Sequence, residues 1–230
     1  MSRMSAPVRI LITAGPTHEP IDDVRYVANR SSGRMGVALA EAAHAAGCEV
    51  TLLLGPVAAG SDRLEAGPTP DRTPRVERFE STADLQQLLV CHFPACDVLI
   101  MAAAVADYRP ATAARGKLPR RADRLVLELE PTPDLVAACA ARRRPGQRIV
   151  AFALEEPAKL TERAIEKMRT KGVDAIVANP LETMGSTSVV GVVYTADGRQ
   201  FAPQAGAMDK PAFARWLIDW VLTHLGAQPS

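Results

Sequence analysis

Residues 8–14 (VRILITA), 33–47 (GRMGVALAEAAHAAG) and 49–54 (EVTLLL) decide the fold class of this chain. The first and third segments are short, apolar and rich in β-branched residues or leucine, which is typical of buried strands. Between them, the alanine-rich segment predicts a helix from about Ser32 to Ala46, and Gly47 suits its C-terminal cap. Because the strands are continuously apolar rather than alternating, we expect a parallel sheet covered on both faces.

The strand and helix rhythm continues along the rest of the chain. Asp197 and Gly198 predict a hairpin between segments 189–194 and 200–202. Lys210 and Pro211 open a last amphipathic helix, because proline suits the first turn of a helix. We therefore predict an α/β class: a Rossmann-like, doubly wound, mainly parallel sheet with helices on both faces. The remaining predicted strands are Val76–Phe79, Asp97–Ala103, Arg148–Leu154 and Asp174–Ala178, and the remaining predicted helices run from Ser81 to about Phe93 and from about Ala158 to Lys171.

Residues 108–132 interrupt this rhythm. They contain Pro110, Gly116 and Pro119, followed by the alternating run Leu125–Glu130. Alternation indicates a strand with one face toward solvent or a partner, unlike the core strands. We predict a β-arm that projects from the sheet, either as a plain surface hairpin or, as we expect, paired with a second subunit in a homodimer. No internal repeat or linker divides the sequence, so we predict a single domain over residues 1–230. The arm also carries a basic cluster at Arg115, Lys117, Arg120, Arg121 and Arg124.

Composition and charge exclude several functional classes. The 27 Lys and Arg residues nearly balance the 26 Asp and Glu residues, so the chain lacks the basic charge on which most nucleic-acid binders depend. The longest apolar run, Val98–Ala106, has nine residues and is too short to span a bilayer. The four cysteines lack the spacing of a metal site, and the N-terminus shows no cleavage-site pattern. We expect a cytoplasmic protein with neither nucleic acid nor membrane as a partner.

The connection between the first strand and the first helix is unusually long. It spans about 17 residues, Gly15 to Ser31, where such loops in α/β units usually have about 2–6. Long loops at the carboxyl ends of parallel strands commonly bind ligands, and a helix N-terminus favours an anion. The functional interpretation is a phosphate or carboxylate near residues 31–33, held by Arg25 or Arg30. The structural interpretation is helix capping together with solvated charges.

A second candidate site follows the most apolar strand. Small residues in Met101–Ala106 would let a ligand approach the backbone, and Asp107 would suit Mg²⁺ bound to phosphates, although a turn aspartate is also a common capping residue. Lys167 and Lys171, four residues apart on one predicted helix, suit either a triphosphate clamp or a solvated face. A dinucleotide oxidoreductase is disfavoured, because no G-x-G-x-x-G follows the first strand and no acid ends the second.

Five stretches of the sequence, in order, resemble one known family. They are ITAGPTHEPIDDVRYVANRSSGRMG at 12–36, AAAVADYRP at 102–110, PTPD at 131–134, FALE at 152–155 and KGVDAIVAN at 171–179. Together they resemble phosphopantothenate–cysteine ligase (phosphopantothenoylcysteine synthetase), the ligase half of the bacterial bifunctional coenzyme A biosynthesis flavoprotein. The resemblance covers about residues 7–225, and no flavin-binding decarboxylase half precedes it, so we expect a stand-alone ligase without FMN.

This resemblance implies a two-step reaction in coenzyme A biosynthesis. CTP, with Mg²⁺, activates the carboxylate of 4′-phosphopantothenate as an acyl-cytidylate and releases pyrophosphate; the amine of L-cysteine then displaces CMP. The resemblance also implies a homodimer in which the arm carrying Lys117 crosses to the other subunit. By position in the motifs, it assigns catalysis to Lys117 and Asn29, metal binding to Asp107, and substrate binding to Arg25 and Asn29. To the substrate-binding residues we add Ser31, Ser32 and Gly33, from the anion site predicted at the helix start. The implied nucleotide pocket comprises Met101, Ala102, Ala103, Asp107, Lys117, Pro133, Asp134, Leu135, Val136, Phe152, Lys167 and Lys171.

The chain departs from the family pattern at a few positions. Pro119 stands where the K-x-K-K region usually has a second lysine, and Arg120 keeps the charge without lysine geometry. Pro16, His18 and Glu156 replace the usual glycine, arginine and threonine. Two other classes stay open: a non-catalytic binder of nucleotides or phosphometabolites, for which Pro119 argues, and an NAD(P)-binding Rossmann oxidoreductase. The preference between CTP and ATP also stays open.

Overall fold

A computed structural model describes residues 6–57, 73–120, 123–181 and 186–226. The strands in these ranges are β1 (Arg9–Ala14), β2 (His18–Pro20), β3 (Tyr26–Ala28), β4 (Glu49–Leu54), β5 (Arg75–Arg78), β6 (Val98–Met101), β7 (Tyr108–Pro110), β8 (Leu129–Pro131), β9 (Arg148–Glu155), β10 (Ala175–Pro180), β11 (Ser188–Val189), β12 (Val192–Thr195), β13 (Gln200–Phe201) and β14 (Met208–Asp209). The α-helices are α1 (Arg34–Ala45), α2 (Thr82–His92), α3 (Leu135–Ala140), α4 (Leu160–Lys171) and α5 (Lys210–His224), and short 3₁₀ turns occupy Phe93–Ala95 and Pro157–Lys159.

One large sheet organises the molecule. Among the described residues it has eight strands in the order β13-β12-β10-β9-β6-β1-β4-β5. The pairs from β10 to β5 are parallel, whereas β12 and β13 add an antiparallel edge. The strand order turns in opposite directions on the two sides of β1 and β6, which is the mark of a doubly wound sheet. The predicted α/β fold with a mainly parallel sheet is confirmed.

Helices cover both faces of this sheet, as the continuously apolar strands require. Ile10 and Ile12 of β1 belong to a core that includes residues of α1 and α5. Leu11 belongs to the opposite core, which includes residues of α2, α3 and α4. Side chains of a strand alternate between the two faces, so a buried sheet needs apolar residues at consecutive positions.

Capping residues fix the ends of several helices close to the positions predicted from the sequence. Ser81 caps α2, because its hydroxyl accepts from the Asp84 N–H while the Asp84 carboxylate accepts from the Ser81 N–H. Asp209 caps α5 by accepting from the Ala212 N–H at 2.7 Å, one residue before Lys210. The helix predicted from about Ser32 forms from Arg34 and ends at Ala45, followed by Gly47 with a φ of 81°.

The structure differs from the sequence-based prediction in several connections. The long segment after β1 contains a hairpin, β2–β3, in which the His18 and Tyr26 rings stack at 3.6 Å. Helix α3 was not predicted, because six residues give little periodicity. Strand β11 pairs with β14 rather than continuing into β12, so the predicted strand 189–194 is shorter. Most of the loop predicted at 57–75 lies outside the described residues.

The predicted arm forms a two-stranded sheet at its base. Strands β7 and β8 pair antiparallel, with Tyr108 opposite Pro131. The alternating run Leu125–Glu130 enters a strand only from Leu129, and Leu125 and Val126 remain 61% and 85% exposed. The predicted strand is therefore too long: residues 125–128 are not part of a strand, although the Glu128 carbonyl oxygen still accepts from the Ala111 N–H at 2.9 Å. None of the described helices combines the length and the apolar character that crossing a bilayer would need.

Candidate active site

A cavity of about 770 Å³ lies at the carboxyl ends of β1, β6, β9 and β10. This is the edge where open α/β sheets bind ligands, because loops and helix N-termini converge there. The cavity gathers four segments that are far apart in sequence: 28–36, 101–107, 132–136 and 151–154. The predicted site residues that line it are Asn29, Ser31, Ser32, Gly33, Met101, Ala102, Ala103, Asp107, Pro133, Asp134, Leu135, Val136, Phe152, Lys167 and Lys171.

Buried polar side chains fix the start of the long loop after β1. The Glu19 carboxylate accepts hydrogen bonds from the Thr82 N–H and hydroxyl at 2.9 and 2.6 Å. The Thr17 hydroxyl accepts from the Ala106 N–H at 3.0 Å, which ties this loop to the segment after β6. Thr17 and Glu19 are buried, so each bond replaces water that the group would otherwise have. These bonds join the loop after β1 to the segment after β6 and to the start of α2.

The N-terminus of α1 opens into the cavity without a side-chain cap. Gly33 occupies the cap position with a φ of 69°, a conformation that glycine adopts without steric cost. Gly36 lets α1 approach β1 very closely, since a Cβ there would lie 3.0 Å from the Ala14 Cα and 3.1 Å from the Thr13 oxygen. The uncapped N–H groups and the helix dipole suit an anion at residues 31–33.

Asn29 and Asp107 lie on the two loops that face each other across the cavity. The Asn29 amide donates to the Val105 carbonyl oxygen at 2.9 Å, which links the loop after β1 to the alanine-rich segment. Asp107 is exposed and lines the cavity, and its carboxylate forms no ion pair with a described residue. The Asp107 main chain is held separately, because its carbonyl oxygen accepts from the Thr132 N–H at 3.0 Å.

Arg25 and Lys117 do not line the cavity of their own chain. Arg25 instead donates to the Leu118 carbonyl oxygen at 2.6 Å and pairs with Asp22 at 2.9 Å. Burial would raise the pKa of Asp22, but hydrogen bonds from the N–H groups of Val24, Leu118 and Arg25, with the Arg25 charge, lower that pKa below its usual range. The contact holds the Lys117 segment against the loop after β1, while the Lys117 side chain stays exposed.

The two lysines of α4 enter the cavity from the opposite face of the sheet. Lys167 pairs with Glu155 at 2.5 Å, and Lys171 pairs with Asp134 at 3.3 Å. Asp134 also caps α3 by accepting from the Ala137 N–H at 3.0 Å. The i,i+4 spacing therefore directs both lysines toward the cavity, and each already has a carboxylate partner.

Besides Thr132, sequence reasoning missed three polar residues that line the cavity: Arg34, Asn179 and Lys210. Arg34 and Asn179 lie inside the motifs quoted above, but nothing in the sequence distinguishes them from helix-surface and strand-end residues. Lys210 was recognised as the start of α5, yet its place at the cavity depends on the packing of α5 against α1. Only tertiary structure brings these three side chains to one cavity.

The cavity residues suit a metal ion that is coordinated mainly by the phosphate oxygens of a bound molecule and by few protein side chains. The described ranges contain no group of three or more His, Cys, Asp or Glu side chains placed to bind a metal ion. Mg²⁺ in phosphate-binding sites commonly uses one or two carboxylates together with phosphate oxygens and water. The Asp107 carboxylate, which forms no ion pair with a described residue, fits that mode better than a site made of protein ligands alone.

Comparison with known proteins gives one consistent family. The DNA/pantothenate metabolism flavoprotein C-terminal domain matches residues 6–225. A cysteine/cysteine sulfinic acid decarboxylase from an unknown prokaryotic organism is 42% identical over 178 residues, covering 77% of this chain and 47% of that protein. The coenzyme A biosynthesis bifunctional protein CoaBC of Escherichia coli K12 is 34% identical over 224 residues, covering 94% of this chain and 52% of that protein.

A solved structure covers the same region. The crystal structure of the C-terminal domain of a coenzyme A biosynthesis bifunctional protein CoaBC is 33% identical, with a TM-score of 0.76 and coverage of 96% of each chain. The present chain spans about half the length of the curated relatives that it matches.

Proposed function

This chain belongs to the DNA/pantothenate metabolism flavoprotein C-terminal domain family, and on that premise we propose that it is a ligase that joins 4′-phosphopantothenate to L-cysteine in coenzyme A biosynthesis. The E. coli relative is named as a coenzyme A biosynthesis protein, and the solved C-terminal domain of a CoaBC protein matches almost the whole chain. The observation that carries the proposal is the cavity, which gathers all the resembling motif segments at the ligand-binding edge of the sheet.

The proposed reaction has two steps. In the first, a carboxylate oxygen of 4′-phosphopantothenate attacks the α-phosphorus of CTP, and the bond to the bridging oxygen breaks, so that pyrophosphate leaves with the electron pair. In the second, the cysteine amine attacks the acyl carbon, CMP leaves, and the amine loses a proton as the amide forms. The product is 4′-phosphopantothenoylcysteine.

The residues of the cavity supply what the first step needs. Negative charge develops on the leaving phosphates, and fixed positive groups stabilise it without reorganisation. The uncapped N-terminus of α1 at Gly33, with Ser31 and Ser32 beside it, offers backbone and hydroxyl donors to an anion. Lys167 and Lys171 present ammonium groups from the other face and exchange their carboxylate partners for ligand oxygens when the nucleotide binds.

The loop after β1 is proposed to position 4′-phosphopantothenate. Asn29 reaches the cavity from that loop while donating to Val105, so it is held where it can contact the acyl intermediate. Asp107 would hold Mg²⁺, which when bound neutralises phosphate charge and favours departure of pyrophosphate. The small side chains of Ala102 and Ala103 leave the backbone accessible to a planar base or ribose.

A homodimer would complete this site. Lys117 is exposed and does not line its own cavity, and it belongs to the same arm as Leu125 and Val126, whose apolar side chains are exposed. An exposed apolar strip of this kind favours association with another surface. We propose that the arm packs on a second copy and delivers Lys117 to the neighbouring cavity for the first step.

The proposal is tested by pyrophosphate release from the purified chain with Mg²⁺, 4′-phosphopantothenate and cysteine, with CTP and ATP assayed separately. Release that requires the acid, and a cysteine adduct of the product mass, are the expected results. The nucleotide that gives the faster release of pyrophosphate identifies the base for which the pocket is specific. Absence of release with either nucleotide from folded protein would contradict the ligase and favour a non-catalytic binder.

A further inference from the structure

Within the described residues, two basic side chains on the α1 and α5 side of the cavity lack the carboxylate partners that the α4 lysines have. Arg34 opens α1 and Lys210 opens α5, and both line the cavity. Neither forms an ion pair with a carboxylate in the described parts of the chain, whereas Lys167 and Lys171 are both paired. Among the described residues, the positive charges on the α4 side of the cavity are therefore paired with carboxylates, whereas those of Arg34 and Lys210 are not.

The local fold fixes Lys210 at this position. Val189 of β11 pairs with Met208 of β14, and β14 leads directly into α5. Asp209 caps the helix, and Pro211 restricts the backbone after Lys210. The backbone is therefore held on both sides of Lys210, and the Lys210 side chain stays at the cavity wall.

The electrostatics of this corner are unfavourable when no anion is present. Burial lowers the pKa of Lys210, and the nearby Arg34 guanidinium lowers that pKa further. The uncapped N-terminus of α1 adds a positive partial charge at Arg34. Like charges in a partly desolvated site repel, and a bound anion converts this repulsion into attraction.

Asn179 contributes an independent polar group to the same cavity. Its Oδ1 atom is buried and has no hydrogen-bond partner among the described residues. Gly191 leaves room for it, since a Cβ at that position would lie 2.7 Å from Asn179 Oδ1. Buried side-chain amides normally find partners, so an unpartnered one at a cavity wall indicates a ligand contact. The Nδ2 end of the same amide makes no hydrogen bond with a described residue and is not enclosed, so it can donate to an anion in the cavity.

We propose that Arg34, Lys210 and Asn179 form a diphosphate subsite that holds the pyrophosphate group as it leaves. Its role in the reaction rests on the proposed ligase function. When the bond between the α-phosphorus and the bridging oxygen breaks, the electron pair passes to pyrophosphate, and two fixed cations from separate helices stabilise that charge. Because the two cations begin different helices and line one cavity, each can contact one phosphate of a diphosphate.

The test is a calorimetric titration of the full chain with inorganic pyrophosphate, without nucleotide or acid. Lys210→Met and Arg34→Met remove the two charges, and Lys159→Met is the matched control, because Lys159 is exposed and does not line the cavity. We expect the Kd for pyrophosphate to rise at least about tenfold in the first two variants, the loss typical of one charge-assisted hydrogen bond. The control and the wild type should agree, Lys210→Arg should retain most affinity, and orthophosphate should bind more weakly.

Equal pyrophosphate affinity in all variants, or no binding by the wild type, would overturn the subsite. Thermal unfolding of each variant checks its fold, and because Arg34 and Lys210 begin different helices, each substitution tests the subsite separately. The outcome also separates the two proposals. Pyrophosphate binding that depends on Lys210 without any ligase turnover would keep the subsite and reject the ligase, whereas normal turnover with unchanged Kd would do the reverse.

Discussion

Arg25 donates a hydrogen bond to the carbonyl oxygen of Leu118 at 2.6 Å, across 93 residues of sequence. Asp22 accepts from the Leu118 N–H at 3.0 Å and pairs with Arg25, so both polar groups of one peptide are held by the loop after β1. The Gly116 N–H is held in the same way by Asp23 at 2.9 Å. Lys117 therefore projects from a segment that is fixed on both sides although its own side chain is exposed.

Replacement of Lys117 tests the proposed role of this segment. We expect Lys117→Gln to slow acyl-nucleotide formation by about 10²–10³-fold, the usual loss when one fixed stabilising group is removed from a transition state. Single-turnover pyrophosphate release measures this step directly. Lys159→Gln, which removes an exposed lysine outside the cavity, should match the wild type. An unchanged release rate in Lys117→Gln would remove this residue from the mechanism.

Asn29 is expected to act in the second step. Its amide donates to the Val105 carbonyl at 2.9 Å, and an aspartate there could only repel that oxygen. We expect Asn29→Asp to release pyrophosphate in a first turnover but to accumulate the acyl-nucleotide, because the intermediate is no longer oriented for the cysteine amine. Rapid quench with mass detection of the intermediate measures the effect. Equal loss of both steps would instead indicate that the whole loop has moved.

Asp22 should make the stability of this contact depend on pH. Its folded pKa is below the usual value, so its stabilising contribution is complete above the unfolded pKa of about 3.9 and is lost as the pH falls through the folded pKa. We expect Asp22→Asn to lower Tm at neutral pH, with a difference from the wild type that shrinks below about pH 4. Asp219→Asn, at an exposed position of α5, is the control. A constant difference across the pH range would contradict the assignment.

Much of the fold and the site could be predicted because they depend on signals that are local in sequence. Continuous apolar strands and capped helices specify a covered parallel sheet, and the carboxyl ends of such strands necessarily meet at one edge. This is why Asn29 and Asp107 could be expected together, whereas Asp134 and Phe152 were expected there from the family resemblance; all four line one cavity.

The rest depends on contacts between distant segments. The β2–β3 hairpin is stabilised by the stacking of His18 on Tyr26, which no periodicity reveals. Arg34 and Lys210 are 176 positions apart in sequence and come near each other because α5 packs beside α1. The length of the arm strand was overestimated. Alternating polarity shows which side chains share a face of a strand, but it does not show how many residues pair with a neighbouring strand.

The close approach of α1 to β1 gives the last prediction. A Cβ at Gly36 would meet the Ala14 Cβ and would lie 3.0 Å from the Ala14 Cα and 3.1 Å from the Thr13 oxygen, so backbone atoms of a central strand would have to move. We expect Gly36→Ala to destabilise the protein by about 1–3 kcal/mol, as overpacking does, and to shift the N-terminus of α1 away from the cavity. Gly47→Ala is the matched control at the other end of the helix: it meets nothing within 4 Å but has a φ of 81°. Both variants should lose stability in thermal unfolding, whereas weaker nucleotide binding in a calorimetric titration should appear in Gly36→Ala alone. Unchanged nucleotide affinity in a folded Gly36→Ala variant would show that the N-terminus of α1 does not hold the phosphates.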